Sequence, residues 1–443
     1  MQGQAPNSKQ QSLLYGNLID QLNPKNPLLK MADVIPWNYF EESFAELYSS
    51  TGRPAKRIRL MIGLCILKHL ENLSDEVLVE RWVQNPYYQA FCGEIEFQWK
   101  LPCDPTDLVY FRKRIGKEGF EKILAVSIGI HGEKIDEKEA CIDTTVAEKN
   151  TTFPTDDKLN RKIIIRCLKL ADKEEIKLRR SYRREVKGLL LNLRFRHNLK
   201  NKKKAKKASK RLKTIAGVLV RELQRKLPKE ILAEQKQNFE FYEKVIKQKR
   251  NDKNKIYSLH EPHIYCMSKG KTHKPYEFGV KASIAKTKDS NLIVGALAFA
   301  KNCYDNHTLP DVLEQIKRIA KWAPDFGLCD RGYRGKKEVD NTKIIIPDSK
   351  PKKSMSNYEK LKQRKRFRKR AGIEGVIGHL KADHRLDRNF LSGFLGDEIN
   401  LLMAAAAFNF KKWLLLFYFL LKHYGKNINL RNSALLNSAY CKS

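Results

Sequence analysis

The segment Phe-Arg-Lys-Arg-Ala-Gly-Ile-Glu-Gly-Val-Ile-Gly-His-Leu-Lys, residues 367–381, combines helix-forming spacing with one acidic residue among bases. Spacings of three, four and seven positions separate four residues of this segment: Phe367, Arg370, Glu374 and Lys381. At 100° per residue these side chains lie within about 60° of one helical face. The pattern predicts a helix that presents a carboxylate together with side chains suited to binding DNA.

Two further acids follow short apolar runs that read as β-strands. Asp143 ends Ala140-Cys-Ile-Asp143, and Asp330 ends Phe326-Gly-Leu-Cys-Asp330. Taken singly, each acid is more simply a helix cap or a surface charge. If the two strands lie side by side and the helix covers them, however, three carboxylates meet, and carboxylate oxygens are the ligands that Mg²⁺ prefers. We therefore expect Asp143, Asp330 and Glu374 to hold divalent metal, with Arg331 and Arg334 close enough to contact phosphate.

The chain is strongly basic, with a formal charge of +37 over 443 residues. Residues 158–255 hold 34 basic and 10 acidic residues, and residues 350–388 hold 14 and 4. This clustering favours a polyanionic partner, most simply nucleic acid. A solvated basic face or a ribosome-associated protein remains the alternative on charge alone.

Cysteine usage and hydropathy indicate a cytoplasmic protein. The nine cysteines form no C-x-x-C pair, and the first residues resemble no secretory signal. The most apolar stretch, residues 401–421, is interrupted by Asn409, Lys411 and Lys412. Because charged residues are costly in a bilayer, a buried C-terminal helix is favoured over a membrane span.

The coarse organisation alternates helical and strand-forming regions. Helical patterns before residue 130 suggest a DNA-binding module of helix-turn-helix type, with a structural bundle or a dimerisation unit as alternatives. Residues 277–286 and 291–300 read as a hairpin, residues 307–322 as an amphipathic helix and residues 343–347 as a strand. The fold class is therefore α/β. The basic segment 158–255 is predicted to form a pair of long helices, either a DNA-tracking arm or a solvated spur.

Several motifs together resemble the bacterial DDE transposases of the insertion sequence five family. They are Cys141-Ile-Asp143-Thr-Thr-Val, Tyr257-Ser-Leu-His-Glu-Pro262, Ser268-Lys-Gly-Lys, Tyr276-Glu-Phe-Gly-Val-Lys281, Asp330-Arg-Gly-Tyr-Arg-Gly335 and Arg370-x-x-x-Glu374-x-x-x-x-x-x-Lys381. Phe367 stands where the family signature has tyrosine, so the aromatic face is present without the hydroxyl. The resemblance extends over nearly the whole chain.

The resemblance implies an RNase H-like catalytic domain interrupted by a helical insertion. The implied division is a helical N-terminal, DNA-binding domain at 1–130, a catalytic domain at 131–157 and 256–390, a basic insertion at 158–255 and a C-terminal helical segment at 391–443. Asp143, Asp330 and Glu374 are then the catalytic metal ligands, with Mg²⁺ or, as a substitute, Mn²⁺. Phe367, Arg370 and Lys381 carry over as contacts to transposon DNA.

The implied reaction is hydrolytic nicking at the terminal inverted repeats, followed by attack of the freed 3′-hydroxyl on target DNA. A homodimer would hold the two ends in the synaptic complex, and no membrane partner is expected. Two other functions use the same residues. A stand-alone RNase H-like nuclease would need the acids only, and an inactive descendant would bind DNA without cleaving it.

Overall fold

The computed structural model describes residues 16–132, 134–249, 251–268, 274–348 and 355–424. The chain divides into two compact units. The first contains residues up to 149 together with residues from 280 onward, and the second contains residues 150–279. The Ser268-Lys-Gly-Lys motif lies mostly outside the described residues, as does the end of the predicted C-terminal segment.

The first unit begins with six helices. They are α1 (Pro27–Val34), α2 (Trp37–Ala45), α3 (Ile58–Leu70), α4 (Asp75–Gln84), α5 (Pro86–Phe91) and α6 (Pro105–Gly129). Their starts have the expected chemistry, since the Ser74 hydroxyl accepts from the Val77 amide and Asp104 forms a reciprocal capping box with Asp107. Gly116 has φ 58° and breaks the helical geometry of α6. Only glycine adopts that conformation without steric cost.

A mixed sheet follows in the same unit. Its strands are β1 (Glu139–Glu148), β3 (Tyr276–Thr287), β4 (Ile293–Phe299), β5 (Phe326–Leu328), β6 (Glu338–Val339) and β7 (Thr342–Ile345). β3 and β4 form the predicted antiparallel hairpin, and β1 lies between β3 and β5. β5 pairs in parallel with both β1 and β7. The α/β class is confirmed, and the strands that precede or carry the two acids are neighbours, the condition on which a shared metal site depends.

Three helices complete the first unit: α11 (Leu309–Ala320), α12 (Asn357–Asp383) and α13 (Gly393–Tyr424). The α13 segment Gly393–Leu420 is long and apolar enough to cross a membrane, but 61% of its most apolar window is buried in the protein. Its Asn409 side chain accepts from the Ile293 amide and donates to the Ile293 carbonyl of β4. A polar side chain paired with a core strand indicates a core helix, as the sequence predicted.

One hydrophobic core joins the N-terminal helices, the sheet and α13. Phe40, Ile62, Phe120, Ile284 and Phe410 all belong to this core and are fully buried. Residues 16–130 therefore share a core with the sheet and do not form an independent body. The predicted division of these regions by function stays a prediction.

The second unit is helical, with α7 (Asp156–Lys173), α8 (Arg183–Arg194), α9 (Lys202–Lys226) and α10 (Lys229–Lys247). The expectation of two long helices is corrected to four. Leu212, Ile215 and Leu219 of α9 are completely buried in a separate apolar core. The short strand β2 (Tyr265–Ser268) pairs with Tyr276–Gly279, the part of β3 that lies in this unit. A helical bundle with its own core argues against a loosely solvated spur.

Candidate active site

Asp143 and Asp330 are brought together by the parallel pairing of β1 with β5. The register pairs Glu139 with Phe326 and Cys141 with Leu328, so two residues further along Asp143 is level with Asp330. Asp143 does not end its strand, because buried Val146 and Ala147 extend β1 to Glu148. Asp330 lies two residues beyond β5, where its side chain accepts from the Gly332 amide at 2.8 Å. The sequence predicted that each acid ends its strand, and both positions are corrected: Asp143 lies within β1, and Asp330 lies beyond β5.

The helix α12 is held on these strands by packing and ion pairs. Ile373 is fully buried against Cys141 of β1 and Leu328 of β5. Arg366 forms an ion pair with Glu139 at 2.8 Å, and Lys369 forms one with Asp289. The Ile373 contact sets the distance between α12 and the sheet. The ion pairs of Arg366 and Lys369 set which face of α12 is turned toward the sheet.

Arg370 is the residue of α12 that reaches the acids. Its Nη2 atom donates to Asp143 Oδ2 at 2.8 Å, and the two side chains are only 12% and 15% exposed. Glu374, by contrast, is 72% exposed, and its Oε1 atom lies 3.9 Å from Arg370 Nη1. Arg370 thus neutralises the carboxylate that was expected to bind metal, while Glu374 faces solvent one turn away.

The three acids do not form a closed metal cage. Within the described ranges, no group of three His, Cys, Asp or Glu side chains is arranged to hold a metal ion. The two aspartates nevertheless supply the hard oxygen donors that Mg²⁺ requires, on neighbouring strands. A third donor from Glu374 requires movement of that exposed side chain.

A further acid, Asp305, lies beside this pair and was not singled out from the sequence. It begins a short 3-10 turn before α11, and its Oδ1 atom accepts from Thr144 Oγ1 at 2.8 Å and from Lys281 Nζ at 2.9 Å. Thr144 directly follows Asp143 in β1. An acid before an amphipathic helix reads as an ordinary helix start, so only the folded structure reveals this contact.

Negative charge accumulates around these carboxylates. Burial raises the pKa of the Cys329 thiol, and Asp330 and then Asp143 contribute in the same direction. Burial also raises the pKa of Tyr333 well above its usual value, with added effects of Cys329, Asp143 and Asp305. Both groups therefore stay neutral, and a bound cation would be stabilised by the surrounding acids.

The remaining predicted DNA contacts lie on the surface. Arg331 and Arg334 are exposed, and the Arg331 guanidinium donates to the Asp348 carbonyl at 3.2 Å. Phe367 is half-buried. Lys381 lines a surface pocket in the first unit with Arg385, Arg388 and Phe390.

That pocket extends the predicted DNA contact beyond Lys381. Arg385 donates to the Asn72 carbonyl at 3.1 Å and lies 5.8 Å from the ring centre of Phe390, which is 61% exposed. Arginine beside an exposed aromatic ring is a common platform for nucleic-acid bases. Arg385, Arg388 and Phe390 follow the end of α12, outside the helical pattern that drew attention to Lys381.

The second unit has a basic groove of its own. Lysines at offsets of three, four, seven and ten residues share one face of α9 and line this groove: Lys203, Lys206, Lys207, Lys210 and Lys213. Val245 and Ile246 of α10 form part of its apolar lining. Asn160 of α7 also lines the groove, and its buried Oδ1 atom has no hydrogen-bond partner within the described part of the chain.

Comparison with known proteins identifies the family to which the chain belongs. Residues 16–114 match the family described as a transposase domain (DUF772), and residues 244–410 match the transposase DDE domain. The chain belongs to the DDE transposase family. It is 40% identical over 194 residues to a Rhizobium meliloti protein described as "Uncharacterized protein ORF8 in nfe locus", a match covering 42% of this chain and 93% of that protein. No solved structure matches the chain.

Proposed function

We propose that this chain is a transposase of the insertion sequence five group, which cleaves DNA at the terminal inverted repeats of its element and joins it to target DNA. The observation that supports this most directly is the alignment of Asp143 with Asp330 across β1 and β5, covered by Arg370 of α12. Two adjacent carboxylates under a basic helix combine a cation site with a phosphate-binding surface.

Asp143 and Asp330 would hold the divalent ion, Mg²⁺ or Mn²⁺, and Glu374 would complete the ligand set. An ion held by these residues would supply activation of an oxygen nucleophile and charge neutralisation at the leaving oxygen. Glu374 is suited to joining because it is exposed and lies one helical turn from Arg370, on the same face of α12.

Arg370 has two roles in this proposal. Without DNA its guanidinium neutralises Asp143, which limits repulsion among the carboxylates. When Asp143 binds the divalent ion, the Arg370 guanidinium would be released to bind a phosphate at the end of the transposon. Its five N–H donors and planar shape suit both partners.

DNA binding is assigned to two separate surfaces, one in each unit. In the first unit, Lys381, Arg385, Arg388 and Phe390 surround a pocket at the end of α12. In the second unit, the lysine groove of α9 would bind the phosphodiester backbone through charge rather than base sequence. Arg331, Arg334 and Phe367 are proposed as additional contacts near the acids.

The assembly and location follow from the same reaction. A homodimer would bring two element ends together in the synaptic complex, and the protein would act in the cytoplasm, associated with the nucleoid when bound to DNA. A nuclease without transposition and an inactive DNA-binding descendant are the competing functions.

A strand-transfer assay with the inverted repeats that flank the gene distinguishes these functions. The proposed transposase releases 3′-ends from a repeat-containing duplex and joins them to a second DNA molecule when Mg²⁺ is present. Cleavage without joining and without dependence on the repeats would indicate a nuclease. Binding without cleavage by the unaltered protein would indicate the inactive descendant.

A further inference from the structure

Asp305 is fixed in place by two donors from different strands. Thr144 of β1 donates through Oγ1 at 2.8 Å, and Lys281 of β3 donates through Nζ at 2.9 Å, both to the Oδ1 atom. Its own carbonyl accepts from the Thr308 hydroxyl at 2.7 Å, which fixes the turn. The side chain is 27% exposed, so this interaction is largely screened from solvent.

Thr144 connects Asp305 to the Asp143 carboxylate. The Thr144 backbone amide donates to Asp143 Oδ1 at 2.8 Å, while the Thr144 hydroxyl is held by Asp305. A shift of the Thr144 backbone would therefore move the amide that orients Asp143, and the hydrogen bond to Asp305 opposes such a shift. Arg370 of α12 donates to Oδ2, the other oxygen of the Asp143 carboxylate.

Asp305 also borders Asp330 across Gly332. A β-carbon built on Gly332 would lie 2.9 Å from Asp305 Oδ2 and 3.0 Å from Asp330 Oδ1, so these oxygens are within about 6 Å of each other. Among the described residues, the two hydrogen bonds to the Asp305 carboxylate both go to Oδ1, and Oδ2 accepts none. The missing side chain at residue 332 is what allows the two carboxylates to approach.

We propose that Asp305 is a positioning residue of the candidate active site, which fixes the orientation of the Asp143 carboxylate through Thr144. Lys281 compensates the charge of Asp305, so the residue supplies a rigid acceptor without a full additional negative charge. Groups that orient metal ligands in this way alter metal affinity when removed. This inference rests on the proposed function, because it assumes that Asp143 binds a cation.

The test is a titration of the DNA-free protein with Mn²⁺, with unbound Mn²⁺ measured by electron paramagnetic resonance. Asp305→Ala and Thr144→Val are each expected to weaken Mn²⁺ binding about tenfold. The double variant is expected to bind no more weakly than Asp305→Ala alone, because both changes remove the hydrogen bond between Thr144 and Asp305, and Asp305→Ala alone already removes the Lys281 contact as well. Asp305→Asn keeps an acceptor for Thr144 and should stay within about threefold of the unaltered protein.

Control variants separate the possible explanations. Asp311→Ala removes an exposed acid a few residues away and should leave Mn²⁺ affinity unchanged. Asp143→Asn should weaken binding strongly, and if it does not, the proposed metal site itself is wrong. If Asp143→Asn weakens binding while Thr144→Val does not, only the positioning role is refuted. Additive losses in the double variant would also refute it, since they indicate independent structural effects.

Discussion

Replacing Arg370 with alanine should destabilise the metal-free protein and make it more responsive to metal. The pair between Arg370 and Asp143 is mostly buried, with side chains 12% and 15% exposed. Removing one partner of a buried pair costs about 3–5 kcal/mol, whereas exposed pairs contribute about 0–1 kcal/mol. For this intermediate pair we expect a loss of about 2–3 kcal/mol in the free energy of unfolding.

Divalent metal should recover part of this loss. Without Arg370, the negative charges of Asp143, Asp305 and Asp330 are less compensated, so the variant should bind cations more tightly than the unaltered protein. A tenfold gain in affinity adds about 1.4 kcal/mol of stability at saturating metal. DNA cleavage should nevertheless be impaired, because the proposed phosphate contact is absent.

The assay is urea denaturation followed by circular dichroism, with and without Mg²⁺. Arg368→Ala is the matched control, since Arg368 is exposed and lies about 160° from Arg370 around α12. Its effect should be below about 0.5 kcal/mol. Lys369 is less suitable, because it forms an ion pair with Asp289. An Arg370→Ala protein as stable as the unaltered one, or stabilised equally by Mg²⁺, would refute the compensating role of Arg370.

Three other predictions address the acids, the lysine groove and Gly332. Asp143→Asn, Asp330→Asn and Glu374→Gln should each abolish cleavage while retaining inverted-repeat binding in a gel-shift assay; a variant that cleaves at the normal rate would remove its residue from the site. Changing Lys203, Lys206, Lys207, Lys210 and Lys213 to Gln should reduce the slope of log K against log salt by about 0.9 for each phosphate that the groove no longer neutralises. Lys204→Gln, on α9 but outside the groove-lining set, is the single-site control, and an unchanged slope in the five-site variant would show that the groove does not bind DNA. Gly332→Ala should weaken Mn²⁺ binding, because its methyl group would displace the Asp305 and Asp330 carboxylates. Gly375→Ala, which meets no atom within 4 Å, should instead stabilise α12 by about 1 kcal/mol, and equal Mn²⁺ affinities in the two glycine variants would contradict the crowding at Gly332.

Much of the architecture followed from local patterns in the sequence. The hairpin of β3 and β4, the amphipathic α11 and the strands before Asp143 and Asp330 were predicted, since apolar periodicity and turn residues are local signals. The pairing of β1 with β5 was only a condition of the predicted metal site, because it joins distant parts of the chain. The buried character of α13 was also predicted, because polar residues interrupt its apolar stretch. The position of Asp143 within β1 was not, because strand ends depend on which neighbouring residues become buried.

The sequence by itself determined which residue types are available. It contains two acids at strand-forming segments, a third acid in a helical pattern, and bases concentrated in two segments. It placed Arg370 and Glu374 on one helical face, since that depends only on helix geometry. Tertiary structure alone decided that Arg370 is buried against Asp143 while Glu374 is exposed. It likewise brought Asp305 to Thr144, 161 positions away in the chain, because contacts between distant segments arise only when strands and helices pack into one core.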